Sequence, residues 1–187
     1  MDGSKRFVAV DPNKTTAKNK EVFQAIESAF GRIPNSFKVL ANSETFLAGY
    51  WNFDQALEHG KLSPITRNEI AIAVSQINKC PYCLSAFTAV GQGVLGIGDH
   101  ELEQCRLANS EDPKVDAALK FAKAIVKERG AVSDQDFAKV RAAGYTDTEI
   151  MEIVASVALI TCANYINLVA QTEIDFPLVM PEKVTTN

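Results

Sequence analysis

Histidine is scarce in this chain, with two residues, His59 and His100, in 187. That scarcity excludes His-rich metal centres and most imidazole proton relays. Charge of one sign is also missing: 19 Lys and Arg stand against 23 Asp and Glu, a net charge of -4 and a pI near 5.3. Without a basic footprint, nucleic acid is not an expected partner. The opening MDGSKRFVAVDPNK has no apolar core of a secretory leader, so none is expected. An unbroken hydrophobic run is absent too. The most apolar stretch, Ile153 to Ala170, is interrupted by Ser156, Thr161, Asn164 and Asn167, and reads as a buried helix, not a membrane span. Four cysteines at this length do not make a disulfide-stapled scaffold, so a reducing cytoplasm is the expected compartment.

What is present is helical periodicity. A polar segment, 1–20, precedes a domain at 21–177 and a tail at 178–187. Val22, Ala25, Ile26 and Phe30 form one stripe that Gly31 ends. Ser43 caps a helix whose expected buried face is Phe46, Tyr50, Phe53 and Leu57, with His59 and a left-handed Gly60 closing it. Ser63-Pro64 starts the next helix. Its alternating Ile70, Ile72 and Val74 could suit a strand, but Ile70, Ala73, Val74 and Ile77 also fit a helix. A helix from Cys80 to about Val90, broken by the glycines from Gly91 to Gly98, is followed by helices opening near Asp99, Pro113 and Ser133. Thr146 to Glu149 reads as a capping box for a long closing helix through about Gln171. No helix–strand alternation is present. The fold class is all-α, a helical bundle of a single domain.

The strongest chemical signal is Cys80-Pro81-Tyr82-Cys83. Two cysteines three apart on a helix share a face and can reach each other. Pro81 suits the first helical position, making Cys80 the N-cap and Cys83 the third helical residue. The free N–H groups there, with Lys79 adjacent, favour a thiolate at Cys83, below the ~8.5 of a free cysteine. Such a pair suits peroxide reduction or disulfide exchange, one sulfur attacking and the other resolving. Half a metal site or two inert cysteines are the other readings. The metal reading is weakened because no second CxxC or histidine pair follows. The tetrapeptide is shared with glutaredoxin-type oxidoreductases, but there it follows a strand near the N-terminus, whereas here helical pattern precedes it.

The wider context, LSPITRNEIAIAVSQINKCPYCLSAFTAVG with LEHGKLSP upstream and NYINLVAQTEIDFP downstream, resembles the AhpD-like alkylhydroperoxidase and carboxymuconolactone decarboxylase family, in its peroxidase-related branch. The likeness runs from about Phe46 to Pro177. It implies an AhpD-like all-helical bundle, a homo-oligomer (trimer or hexamer) and thiol-dependent peroxidase activity. By position, Cys83 is then the peroxidatic cysteine that becomes a sulfenic acid. Cys80 donates the proton and resolves the sulfenic acid as a disulfide. The partners implied are a peroxide substrate and a dithiol reductant or thiol partner protein, with no cofactor and no metal.

The chain departs from the family pattern, E-x11-C-x2-C-x3-H, at its relay. The Glu position is Asn68, the His position is Phe87, and a histidine common in the closing helix is Leu168. Asn cannot take a proton at neutral pH, and Phe and Leu have no polar side-chain group. Glu69 is a possible substitute base, although one residue on a helix is a rotation of about 100°. Loss of acid–base assistance typically costs about 10²–10⁴-fold. A slow peroxidase, a disulfide exchanger, or a redox-sensing or structural oligomer without turnover all fit; Tyr82 and Thr88 are hydroxyl-bearing substitutes. A lactone decarboxylase is a third reading with less support, because that branch need not carry CxxC. Gly91-x-Gly93-x-x-Gly96 spells a dinucleotide fingerprint, yet it follows a helix and is read as a connection. Cys105 is expected to be exposed and Cys162 to be a small core residue. Asn164 and Asn167, two amides on a buried helix, need partners in the pocket or at a trimer axis.

Overall fold

The computed structural model describes residues 6–181. Among them are nine α-helices and no strand: α1 (Ala17–Phe30), α2 (Asn35–Leu40), α3 (Glu44–Glu58), α4 (Pro64–Ile77), α5 (Pro81–Gly93), α6 (Asp99–Arg106), α7 (Pro113–Lys127), α8 (Asp134–Ala142) and α9 (Asp147–Ala170). A 3-10 turn at Pro12–Lys14 precedes α1. The end of the expected tail, 182–187, lies outside the described residues, as do 1–5 of the polar segment.

Helix starts follow the capping chemistry written in the chain. Ser43, Ser63, Ser133 and Thr146 each accept a backbone N–H of their own first turn, and Thr146 and Glu149 complete a capping box. The alternating Ile70–Val74 run is helix, opened by Ser63 with Pro64 at its first position. Helix α1 starts inside the polar segment 1–20, because Thr16 caps it and Asn19 is drawn into the core, donating to the Ala41 carbonyl at 3.1 Å.

Packing places α4 at the centre, against α5, α6, α7 and α9. Ten of its residues are buried, Asn68, Glu69 and Gln76 among them, so it has no solvated face to speak of. The main core gathers Ile70, Ile72, Val74, Leu119, Phe121, Ile153 and Val157 around it. A second core, built by Phe23, Ile26, Phe37, Leu47 and Trp51, joins α1, α2 and α3. The long α9 passes both. By length and hydropathy it is the one described helix that could cross a membrane, and half of that stretch is buried within the bundle.

Three local expectations are corrected. The buried face of α3 is Leu47, Trp51 and Leu57, while Phe46 and Phe53 are exposed; Trp51 turns inward to meet Phe37 edge-on, which rotates the stripe. Gly60 is not left-handed. It is small because the Glu152 carboxylate sits where a Cβ would be, 2.7 Å away, accepting the N–H groups of Lys61 and Leu62. Helix α5 does not end at Gly91 but runs to Gly93, and only the segment after it is irregular. Gly91 is there for close approach: a Cβ on it would lie 2.8 Å from Leu102 and 2.9 Å from Asn68.

Two glycine substitutions separate these causes. Gly91→Ala should lose about 1–3 kcal/mol of stability by overpacking. Gly49→Ala, in an α3 position where a Cβ meets nothing within 4 Å, should gain about 0.5–1 kcal/mol. Urea unfolding of both variants measures the difference; equal effects would show that packing at Gly91 is not the constraint.

Candidate active site

The dithiol lies between the two cores, in a small cluster of its own with Tyr82 and Ala163. Its position is set by the tight connection from α4 to α5. Lys79 takes a left-handed conformation (φ 54°), and the Cys80 amide donates back to the Ser75 carbonyl at 3.0 Å while the Lys79 amide donates to Gln76. That is a Schellman-type closure. It turns the chain so that Cys80 becomes the N-cap of α5, with Pro81 at the first helical position. Both cysteines are free and buried.

The partner thiol, and then the helix cap, set the balance between the two sulfurs. The Cys83 amide points at the Cys80 sulfur, 3.4 Å away. Hydrogen bonding from the Cys83 thiol, and then from the Cys83 and Tyr82 amides, pulls the Cys80 thiol below its ordinary range against the opposing effect of burial. The Cys83 thiol is pushed up, first by its hydrogen bond to Cys80, then by burial and the negative charge on Cys80. Sequence reasoning assigned the favoured thiolate to Cys83. The electrostatics run the other way: the hydrogen bond from the Cys83 thiol, with the Cys83 and Tyr82 amides, favours charge on Cys80, while that same hydrogen bond and burial disfavour it on Cys83.

Two amides from α9 complete the pair. Asn167 Nδ2 lies 3.3 Å from the Cys83 sulfur. Asn164 is fully buried; its Nδ2 donates to Ser75 Oγ at 3.2 Å and its Oδ1 accepts from Asn78 at 2.9 Å. As hydrogen-bond donors, Asn164 favours the charged form of both thiols and Asn167 that of Cys83. The pattern that flagged them was polarity on an apolar helix; their target could not be read from it.

Cys83, but not Cys80, lines a cavity of about 940 Å³. Its walls include Phe37, Tyr50, Phe87, Asn167 and Phe176, so it is mostly apolar and aromatic. Arg67 also lines it and is held by Asp54 at 3.5 Å and Glu58 at 2.7 Å. Burial raises the pKa of both Asp54 and Tyr50. One side is closed by the segment after α9. Tyr82 donates to Asp175 at 2.8 Å and accepts the Ser36 amide at 3.0 Å, and Arg32 pairs with Asp175 at 3.1 Å. Phe176 meets the Tyr82 ring edge-on. Val179 donates to Ser85 at 2.9 Å.

The vacated relay positions separate. Asn68 and Phe87 line the cavity, and Asn68 donates to the Phe87 carbonyl at 3.2 Å. Leu168 is 38% exposed and is not a lining residue. Glu69 is not brought to the cavity. It is buried beside Glu101 and Cys105, where burial, and then the Glu101 and Asp112 carboxylates, push it up to about 7. The 100° turn from Asn68 carries it to the other side of α4. Of the hydroxyl substitutes, Tyr82 is committed to Asp175 and Ser36, and Thr88 Oγ1 is buried without a partner. Cys105 is fully buried, not exposed, and Cys162 is half-buried, not core. His100 pairs with Glu111 on the surface.

Compared with known proteins, residues 44–128 match the sequence model of the carboxymuconolactone decarboxylase family. The chain is similar to the alkylhydroperoxidase AhpD core structure of a peroxidase-related protein from Ralstonia eutropha JMP134. The TM-score is 0.82 at 22% identity, over 91% of this chain and 92% of that one. A peroxidase-related protein from Silicibacter sp. TM1040 gives 0.76 at 24%, over 92% and 94%. The debrominase Bmp8, as a Cys-to-Ala variant with 2,3,4-tribromopyrrole, gives 0.76 at 16%, over 92% and 93%. At these identities the structural likeness establishes the fold. No curated protein matches the chain in sequence.

The dithiol should titrate in two separated steps, followed by thiolate absorbance near 240 nm. The first belongs to Cys80 below the ordinary cysteine range, the second to Cys83 well above it. Asn167→Leu should raise the second step further while leaving the first nearly unchanged. A single step at the free-cysteine value would contradict the arrangement.

Proposed function

We propose that this chain, which has the AhpD-like helical fold, belongs to the carboxymuconolactone decarboxylase family that its residues 44–128 match, and is a thiol-dependent peroxidase or disulfide oxidoreductase that works through Cys83 and Cys80. The observation that carries this reading is the division of the pair: Cys83 faces the cavity beside Asn167, and Cys80 sits behind it as the helix cap.

Once the pair has lost one proton, its two sulfurs share the one that remains. Its transfer from Cys83 to Cys80 leaves a Cys83 thiolate, stabilised by Asn167 and facing the substrate. That thiolate attacks the terminal oxygen of a hydroperoxide and the O–O bond breaks. Cys83 becomes a sulfenic acid, and the alkoxide leaves as an alcohol with the proton from Cys80. The Cys80 thiolate then attacks the Cys83 sulfur, the hydroxyl departs as water with a proton from solvent, and a disulfide forms. An external dithiol returns the pair to the reduced state and is itself oxidised. The apolar, aromatic walls suit a peroxide with an organic body.

With Asn68 and Phe87 at the relay positions, no carboxylate or imidazole moves protons there, so turnover is slow by about 10²–10⁴-fold relative to an assisted site. That same feature supports the second reading, a redox-sensing or structural oligomer that oxidises once. Assembly as a homo-oligomer, trimer or hexamer, is supported by apolar side chains left exposed on α3, α4 and α9, including Phe46, Phe53, Ile65, Tyr165 and Val169. The cytoplasm is the compartment that keeps such a dithiol reduced.

Peroxide titration with mass spectrometry tests the order of attack. In Cys80→Ser, dimedone should label a sulfenic acid at position 83; in Cys83→Ser, no label should appear at position 80. Labelling at Cys80 would reverse the roles. Stoichiometric oxidation without repeated turnover across several dithiol donors would select the sensor. No oxidation of either cysteine by mild peroxide would reject the redox reading altogether.

A further inference from the structure

On the side of α4 away from the dithiol, the bundle buries a second group of donors. Glu69 from α4 meets Glu101 and Cys105 from α6, and one potential ligand atom from each lies within 4.8 Å of the others. Glu101 and Cys105 are four apart, on one face of α6. Packing of α6 against α4 brings Glu69 to that face.

Glu69 is only 4% exposed, and its Oε2 is buried without a hydrogen-bond partner. Cys105 is fully buried, with its sulfur 4.0 Å from Glu101 Oε1. Glu101 is half-buried, its outer contact being the Ser110 hydroxyl, which gives the site an edge towards solvent. Among the described residues, the charges that act on Glu69 are the Glu101 and Asp112 carboxylates. Asp112 acts on Glu69 with the same sign. Lys114 is engaged with Glu149 and the Tyr145 ring, and Arg106 reaches Gln76 and the Met180 carbonyl. A buried carboxylate with an orphaned oxygen, set beside a second carboxylate and a thiol, is costly for protein groups alone.

We propose that Glu69, Glu101 and Cys105 form a binding site for a divalent ion of borderline softness, Zn²⁺ in type, separate from the dithiol and tying α6 to α4. Two carboxylates and one thiolate are a donor set for such an ion, with water in the remaining position. Zn–O and Zn–S bonds of about 2.0–2.3 Å place tetrahedral donors about 3.3–3.8 Å apart. The Glu101 oxygen and the Cys105 sulfur, 4.0 Å apart, are near that spacing, and the other two separations lie within 4.8 Å. Binding displaces protons from the ligands and holds the two helices together. Spacing in the sequence could not signal the site, because Glu69 comes from a different helix.

The test removes the competing thiols first. Cys80→Ser/Cys83→Ser protein, titrated with Co²⁺, should develop a near-ultraviolet thiolate-to-cobalt band at one ion per chain, displaced by Zn²⁺. Cys105→Ser in that background should abolish the band, and Cys162→Ser should leave it. Glu69→Gln should weaken the Co²⁺ dissociation constant by at least about tenfold while its melting temperature stays level or rises. Absence of the band, its survival in Cys105→Ser, or unchanged affinity in Glu69→Gln would each overturn the proposal. Should Cys105→Ser fail to fold, the affinities of Glu69→Gln and Glu101→Gln decide by the same tenfold criterion.

Discussion

The hydrogen bond from the Cys80 amide to the Ser75 carbonyl, 3.0 Å long, is the contact on which the dithiol depends. It closes α4 and starts α5 in a single turn, at the cost of a left-handed Lys79. A non-glycine residue in that conformation is held there by its surroundings. The surroundings are α4 itself, buried on nearly every side, and the Asn78–Asn164–Ser75 chain of hydrogen bonds that joins the turn to α9. Were the turn to relax, Cys80 would lose its place as the cap, and the amides that favour its charged form would point elsewhere.

Beyond the hydrogen bond between them, the two sulfurs are prepared by amides. Asn164 and Asn167 can donate to a thiolate, but neither can take up a proton and return it at neutral pH. The site is therefore equipped to stabilise a thiolate and poorly equipped to move protons. Arg67 adds little positive field, since Asp54 and Glu58 hold it. In the proposed chemistry Cys83 therefore leans on Cys80 as its proton partner, and the same two atoms would serve as both relay and redox couple.

Much of the architecture was legible in the chain. Ser63-Pro64, Thr146 to Glu149 and the CPYC run announce helix starts through local hydrogen bonding, which needs no distant partner. The expected placement of Cys80 as N-cap follows from the same logic. Buried faces were read less well. Phe46 and Phe53 are as apolar as Leu47 and Trp51, and only the second core, with Phe37 already in place, decides which of them turns inward. Gly91 was read as a breaker because its reason for being glycine, the approach of Leu102 and Asn68, is tertiary.

Composition and local pattern by themselves determined an all-helical chain carrying a dithiol at a helix start; that Asn68 and Phe87 stand at relay positions came from the family resemblance. Those features depend on residues near one another in sequence, or on residue type alone. Tertiary structure decided the rest: that Cys83 faces the cavity and Cys80 does not, that Asn167 reaches the sulfur, and that Glu69 is turned to Glu101 and Cys105. Each of those depends on how α4 rotates among four packed helices. That rotation is set by the summed fit of the whole core, which no single segment encodes.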